Sequence, residues 1–249
     1  MLFRQLFDTV SSTYTYLLGC AETRRAVLID PVMPNLQRDL AVLNELGLKL
    51  AYTIETHVHA DHITSALRLQ REVGSLIAYP ATSSMKCADV AIQAERVFEI
   101  GSIKIRPLHT PGHTDDHFAY AINDRVFTGD ALLIDGCGRT DFQNGDAATL
   151  YRSIHEKLFS LPDDTLVYPG HDYNNRHVST VSQERERNPR LGHGKTLGEF
   201  VKIMRELNLA YPQFIDYAVP GNRQCGICPD DLDEDLTQYC EKMETSAQG

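Results

Sequence analysis

Short apolar runs alternate with amphipathic segments along the first third of the chain. Tyr14-Thr15-Tyr16-Leu17-Leu18 and Ala26-Val27-Leu28-Ile29-Asp30 are β-rich runs bounded by Gly19 and Pro31, and residues 1–5 have the same strand-like character. Leu36, Leu40, Leu43 and Leu46 then recur every three or four positions before Gly47, which predicts an amphipathic helix over residues 35–46. A strand over 51–56, a helix over about 63–73 and a strand over 76–79 continue the alternation. From Phe98 onward the period shortens to two. Ile103, Ile105 and Pro107 alternate with polar residues after the turn Ile100-Gly101-Ser102, and 117–122 and 125–128 read as strands joined at Asn123-Asp124. Residues 147–159 and 196–207 read as helices, with a strand over 165–168 between them. No repeat, low-complexity tract or linker breaks the pattern. It predicts a single α/β domain over residues 1–249, with a modest helical addition at its C-terminal end.

Composition narrows the partners. Of 249 residues, 42% are hydrophobic and 23% charged, which is ordinary for a globular chain and excludes a disordered one. Lys and Arg number 24 against 34 Asp and Glu, a net charge of −10 that argues against binding nucleic acid through phosphates. No apolar run approaches the roughly 20 residues that span a bilayer, and no leader pattern precedes the first strand, so a cytoplasmic protein is expected. In that compartment Cys20, Cys87, Cys137, Cys225, Cys228 and Cys240 are expected as reduced thiols, packed as small apolar side chains. Cys225-Gly226-Ile227-Cys228 is a C-x-x-C. As a redox pair or half a zinc site it lacks supporting ligands at matching spacing.

The ten histidines carry most of the chemistry. Thr56-His57-Val58-His59-Ala60-Asp61-His62 follows a predicted buried strand. His57 and His59, two apart in extended chain, project to one side, while Asp61 and His62 approach as the chain turns. Three later strand ends each offer one further ligand: His113 in Leu108-His109-Thr110-Pro111-Gly112-His113, Asp130 in Phe127-Thr128-Gly129-Asp130, and His171 in Tyr168-Pro169-Gly170-His171. Loops leaving strand ends are where layered α/β scaffolds gather ligands from distant parts of the chain, so these residues point to a metal. His109, His117, His155, His177 and His193 read as supporting, surface or capping residues.

The H-x-H-x-D-H run with the later His, Asp and His resembles the metallo-β-lactamase superfamily over residues 1–180. That resemblance implies an αββα sandwich with the metal in a cleft at one edge of two sheets. A narrower likeness lies in Gly129-Asp130-Ala131-Leu132-Leu133-Ile134-Asp135-Gly136-Cys137-Gly138-Arg139-Thr140-Asp141-Phe142-Gln143, with Tyr168-Pro169-Gly170-His171-Asp172-Tyr173, Asn188-Pro189-Arg190-Leu191 and Ala218-Val219-Pro220. These segments resemble the persulfide dioxygenase family, the group that includes the ethylmalonic encephalopathy protein. The stretch from Gly221 to Cys228 receives no role.

The resemblance implies one iron(II) per chain on His57, His113 and Asp130, a two-imidazole, one-carboxylate face that leaves positions for a persulfide sulfur and dioxygen. The implied reaction takes glutathione persulfide, O2 and water to glutathione and sulfite, a step of hydrogen sulfide catabolism. The same residue content permits the alternative of a glyoxalase II-type hydrolase. There two zinc ions fill the set, Asp130 bridges, and Asp61, His62 and His171, with His59 present, complete a second site for thioester hydrolysis. Arg139 is expected either to pair with a glutathione carboxylate or to bond Asp141. Tyr173 either donates its hydroxyl to substrate or packs as an aromatic. Asp172 is expected to act at the active site by orienting a histidine. A homodimer is expected for an enzyme of this size, with any sulfur-transfer enzyme acting in trans.

Overall fold

In the computed structural model, which describes residues 1–228, the chain forms two six-stranded sheets stacked face to face. The first holds β1 (Leu2–Phe7), β2 (Tyr14–Gly19) and β3 (Arg25–Ile29), then, after helix α1 (Leu36–Glu45), β4 (Lys49–Ile54). Helix α2 (Ala66–Val73), β5 (Leu76–Pro80) and β6 (Val90–Ile92) complete it, and its strands lie in chain order. β1 to β3 pair antiparallel and β3 to β6 parallel, with α1 and α2 providing the first two crossovers and a short 3-10 turn at Ala81–Ser83 the third. The second sheet holds β7 (Phe98–Ile100), β8 (Ile103–His109), β9 (Phe118–Ile122) and β10 (Arg125–Gly129). After α3 (Ala147–Ser153), β11 (Leu166–Pro169) pairs parallel to β10, and β12 (Ser179–Thr180) closes the edge. Helices α4 (Val181–Arg187), α5 (Leu197–Glu206) and α6 (Ile215–Asn222) follow.

Alternation along the strands sorts three apolar layers. Tyr16, Leu18, Val27 and Ile29 face Ile105, Phe118, Tyr120 and Phe127 across the gap between the sheets. Their chain neighbours Leu17, Ala26 and Leu28 point outward and are covered by Leu36 and Leu43 of α1 and Leu69 of α2. On the far side Ala119, Val126 and Val167 are covered by Leu150 of α3, Val181 of α4, and Phe200 and Met204 of α5. Both faces of each sheet are therefore buried, giving the helix–sheet–sheet–helix layering expected from the resemblance. Each fully buried Leu, Ile, Val or Phe contributes on the order of 1.5–3 kcal/mol.

The structure departs from the pattern in places with physical causes. Helix α2 starts at Ala66 rather than near 63 because residues 57–64 are held as a loop by side chains from elsewhere. The helix of 147–159 passes into a π-helical turn at Ile154–Leu158. The expectation of reduced thiols holds for the buried Cys20 and Cys137 but not for Cys87 and Cys225, which form a disulfide. Their Cα atoms are 6.0 Å apart although 138 residues separate them, because the end of α6 returns over the β5–β6 connection; Cys228 is disulfide-bonded as well. No thiol spacing along the chain signals that approach, and it replaces the C-x-x-C pairing. Cys240 lies outside the described residues. No helix among the described residues is long and apolar enough to cross a membrane.

Candidate metal centre

Five strand ends meet at one edge of the sandwich. β3 ends at Asp30, β4 leads into His57–His62, β8 into His113, β10 into Asp130 and β11 into His171. Backbone bonds lock the sheets together there: Phe118 N–H donates to Thr56 O (2.7 Å) and Tyr14 N–H to Gly170 O (2.8 Å).

His57, His113 and Asp130 each present one ligand atom, all within 4.8 Å of one another. Their supports fix which atoms face inward. Thr56 Oγ1 gives its one proton to Asp30 Oδ2 (2.9 Å), so at 2.9 Å from His57 Nδ1 it accepts that ring's N–H. His113 Nδ1 donates to Arg139 O at 2.7 Å. Both rings thus hold their protons on Nδ1 and leave Nε2 lone pairs for a metal, the tethered-imidazole arrangement of metal sites. Burial and then the neighbouring imidazoles of His59, His113, His117 and His171 hold His57 well below the usual imidazole range, so it stays neutral. Asp130 is positioned through its backbone N–H, which donates to His117 Nε2 (3.1 Å). Its Oδ1 is buried and has no hydrogen-bond partner, a costly state for a carboxylate that a cation relieves. Two neutral nitrogens and this oxygen fit a divalent metal. The backbone must come close to make the cradle. A Cβ on Gly170 would lie 2.6 Å from Asp130 Oδ1, and Gly129 takes φ +48° where a side chain would strike His117.

His59, Asp61 and His62 form a second cluster with ligand atoms within 4.8 Å. These groups bond one another and the scaffold, but His59 Nδ1 and His62 Nε2 are buried without hydrogen-bond partners. His59 Nε2 lies 3.1 Å from Asp30 Oδ1 and 3.3 Å from Glu55 Oε2. Burial opposes its charging, yet the Asp30 and Glu55 carboxylates outweigh that and hold its pKa well above the usual value. Asp61 Oδ2 accepts from Thr13 Oγ1 (2.9 Å) and lies 2.8 Å from His62 Nδ1. Despite burial, His62, His171 and His59 hold the Asp61 carboxyl well below its normal range. His171 Nε2 sits between the clusters, 3.5 Å from Asp61 Oδ2 and 3.5 Å from Asp130 Oδ1. Its pKa is raised by Asp130 and Asp61 against the effect of burial.

A cavity of about 490 Å³ opens beside the first cluster. His57, His113, Asp130, Asp61 and His171 reach it from the strand ends, and Leu209, Pro212 and Phe214 wall it from the α5–α6 connection. Tyr173 lies at its rim, 71% exposed and parallel to the His171 ring, so it is no packed core aromatic. Arg139 also lines the cavity and takes the second of its two expected partners: Nε and Nη2 grip Asp141 at 2.7 Å each, and Nη1 bonds Ala210 O. Asp172 departs from expectation. The 172–176 turn brings Arg176 back onto its carboxylate through both backbone and side chain, so it orients no histidine and does not line the cavity.

Sequence reasoning left Asp30, Thr56 and Asn222 unassigned and gave His117 no definite task. Asp30 carried a signal, since it ends a strand like the other ligands. Its left-handed backbone (φ 50°) turns its carboxylate onto Thr56 and His59. His109, His155, His177 and His193 lie outside both clusters.

The metallo-beta-lactamase superfamily model matches residues 8–86 and 88–171. The human protein named persulfide dioxygenase ETHE1, mitochondrial, is 50% identical over 231 residues, covering 91% of this chain and 89% of that one. The chain belongs to the persulfide dioxygenase family. The crystal structure of ETHE1 from Myxococcus xanthus agrees with this family member at a TM-score of 0.89, with 51% identity over 91% of this chain and all of the other. A probable hydroxyacylglutathione hydrolase of Schizosaccharomyces pombe is 38% identical over 179 residues, 68% of each chain. Within the superfamily, this chain is thus nearer to the dioxygenase relatives than to that hydrolase.

Proposed function

We propose that this chain, folded as one domain over residues 1–249, is a persulfide dioxygenase that holds one iron(II) on His57, His113 and Asp130. Its reaction converts glutathione persulfide, O2 and water to glutathione and sulfite. The likeness to the human dioxygenase over 91% of the chain carries this reading, because the ligand set alone also suits a hydrolase. Ferrous iron, when bound, supplies adjacent positions for sulfur and dioxygen and shares electrons between them. The chain's own residues do the rest. His57 and His113, tethered through Nδ1, offer neutral nitrogens in fixed directions. His171 holds a proton at Nε2 between Asp61 and Asp130, at the cavity where sulfite is formed. Leu133, Phe142 and Phe214 keep water from the reacting sulfur, while Tyr173 at the rim offers its hydroxyl to the peptide and carboxylate groups of glutathione.

The second reading is a two-zinc thioester hydrolase. It is favoured by the retention of His59, Asp61, His62 and His171 beside the first cluster. Metal analysis combined with an oxygen electrode separates the two. About one iron per chain and oxygen uptake that requires glutathione persulfide are expected. Two zincs at full activity, with acyl-glutathione hydrolysed in the absence of oxygen, would overturn the dioxygenase reading.

A further inference from the structure

Helix α6 ends on a fully buried residue, Asn222, that touches the metal-bearing loop at three points. Its Nδ2 donates to His59 O (2.9 Å) and His62 O (2.7 Å), and its Oδ1 accepts from Thr64 N–H (2.9 Å). Only an amide satisfies this pattern, since both donors sit on one atom and the acceptor on the other. The helix is pressed onto the same loop from both flanks. Tyr217 and Ala218 pack on Ile63, while Val219 and Cys225 join the cluster of Val58 and Ala66. Leu67 N–H donates to Cys225 O, and the Cys87–Cys225 disulfide fixes the segment three residues beyond Asn222.

Without that amide the carbonyls of His59 and His62 and the N–H of Thr64 would be buried without partners, at a cost of about 1–3 kcal/mol for each. The loop would then move to reach water. His57, two residues upstream, and Asp61, which sets His171 against Asp130, would move with it.

We propose that Asn222 is a positioning residue for the metal centre: its carboxamide clamps the His59–Thr64 loop and so sets the geometry in which His57, His113 and Asp130 meet one metal ion. The inference rests on the metal assignment above but not on the identity of the substrate.

The test uses the full chain carrying Asn222→Asp or Asn222→Ala. Iron(II) affinity is read by competition with a chromophoric chelator, and kcat and KM for glutathione persulfide at saturating iron. Aspartate keeps the shape of asparagine but sets oxygens against two carbonyls, and a protonated aspartate restores at most one donor. Asn222→Asp is therefore expected to lose about 10–100-fold in iron affinity, and more than Asn222→Ala. In both variants kcat falls while KM holds within about twofold. A residue that merely fills space gives the reverse order, with aspartate tolerated, and that order, or an iron affinity unchanged in both, overturns the proposal. Amide exchange of Thr64 in the unsubstituted protein gives a measurement that does not depend on either variant folding. Protection matching that of β4 is expected, and exchange as fast as an open loop overturns the clamp. A chain whose iron affinity responds as predicted but which oxidises no persulfide upholds the clamp and rejects the dioxygenase reading.

Discussion

The two histidine–carboxylate clusters sit side by side, each with ligand atoms within 4.8 Å of one another, yet their surroundings differ. In the His57, His113 and Asp130 cluster each imidazole is tethered through its outer nitrogen and the carboxylate keeps a buried oxygen without a partner. In the His59, Asp61 and His62 cluster the groups engage one another and the carboxylates of Asp30 and Glu55. A ligand needs both nearness and an unspent lone pair. The first cluster opens on the 490 Å³ cavity, whereas the partnerless His59 Nδ1 and His62 Nε2 belong to residues that do not line it, and only Asp61 of the second cluster reaches it. The contrast lies in access to the cavity rather than in the number of ligand atoms available.

The largest effect is expected at Asp130. Replacing Asp130 with Ala removes the only carboxylate of the first cluster, and iron content and oxygen uptake should fall by more than the roughly 100-fold that outer partners cost. Wild-type iron content in that variant would end the assignment of the first cluster. Gly170→Ala comes next. Its new Cβ must displace Asp130 Oδ1, only 2.6 Å away, or the backbone of Gly129, and a loss of about 10–100-fold in iron affinity is expected. His62→Ala sharpens the comparison. It should change iron affinity by less than about tenfold, and a loss equal to that of Asp130→Ala would make the two clusters one functional unit.

The smallest effect is a difference in pH dependence between the clusters. His57 is neutral at pH 7 because burial and its imidazole neighbours depress its pKa, so a metal there displaces no proton. His59 is protonated at pH 7, because Asp30 and Glu55 overcome the effect of burial. A second metal must displace that proton, so its affinity should rise about tenfold per pH unit until the raised pKa of His59 is passed. Zinc titrations at pH 6.5 and 8 should show the second site strengthening more steeply with pH than the first. The metal-free fold follows the same signs. The His59 contribution is complete below its unfolded pKa and is lost as pH rises through the higher folded one. The His57 contribution is present above its unfolded pKa and is lost as pH falls toward the lower folded one.

Much of this was legible in the sequence. Period-two alternation in residues 103–107 marked the inner face, residues 14–18 read correctly as a strand, and the strand-end placement of His57, His113, Asp130 and His171 survived intact. The supports were harder to see. Thr56, His117 and Asn222 act through hydrogen bonds that join segments up to 163 residues apart, and no local pattern marks them. Asp172 misled because its position directly after a ligand suggested a histidine partner, whereas the local turn brings Arg176 to it instead. The Cys87–Cys225 pair was hidden for the same reason as Asn222: it depends on where α6 returns.

That return path orders events at the ribosome. His57 to Thr64 emerge early, but Asn222 follows 158 residues later in the chain, a delay on the order of ten seconds at ordinary elongation rates. Until then the nascent loop has no clamp, and its histidines meet whatever ions the surroundings offer. If the clamp acts as proposed, durable capture of the proper metal waits until α6 has folded back and sealed the loop from behind.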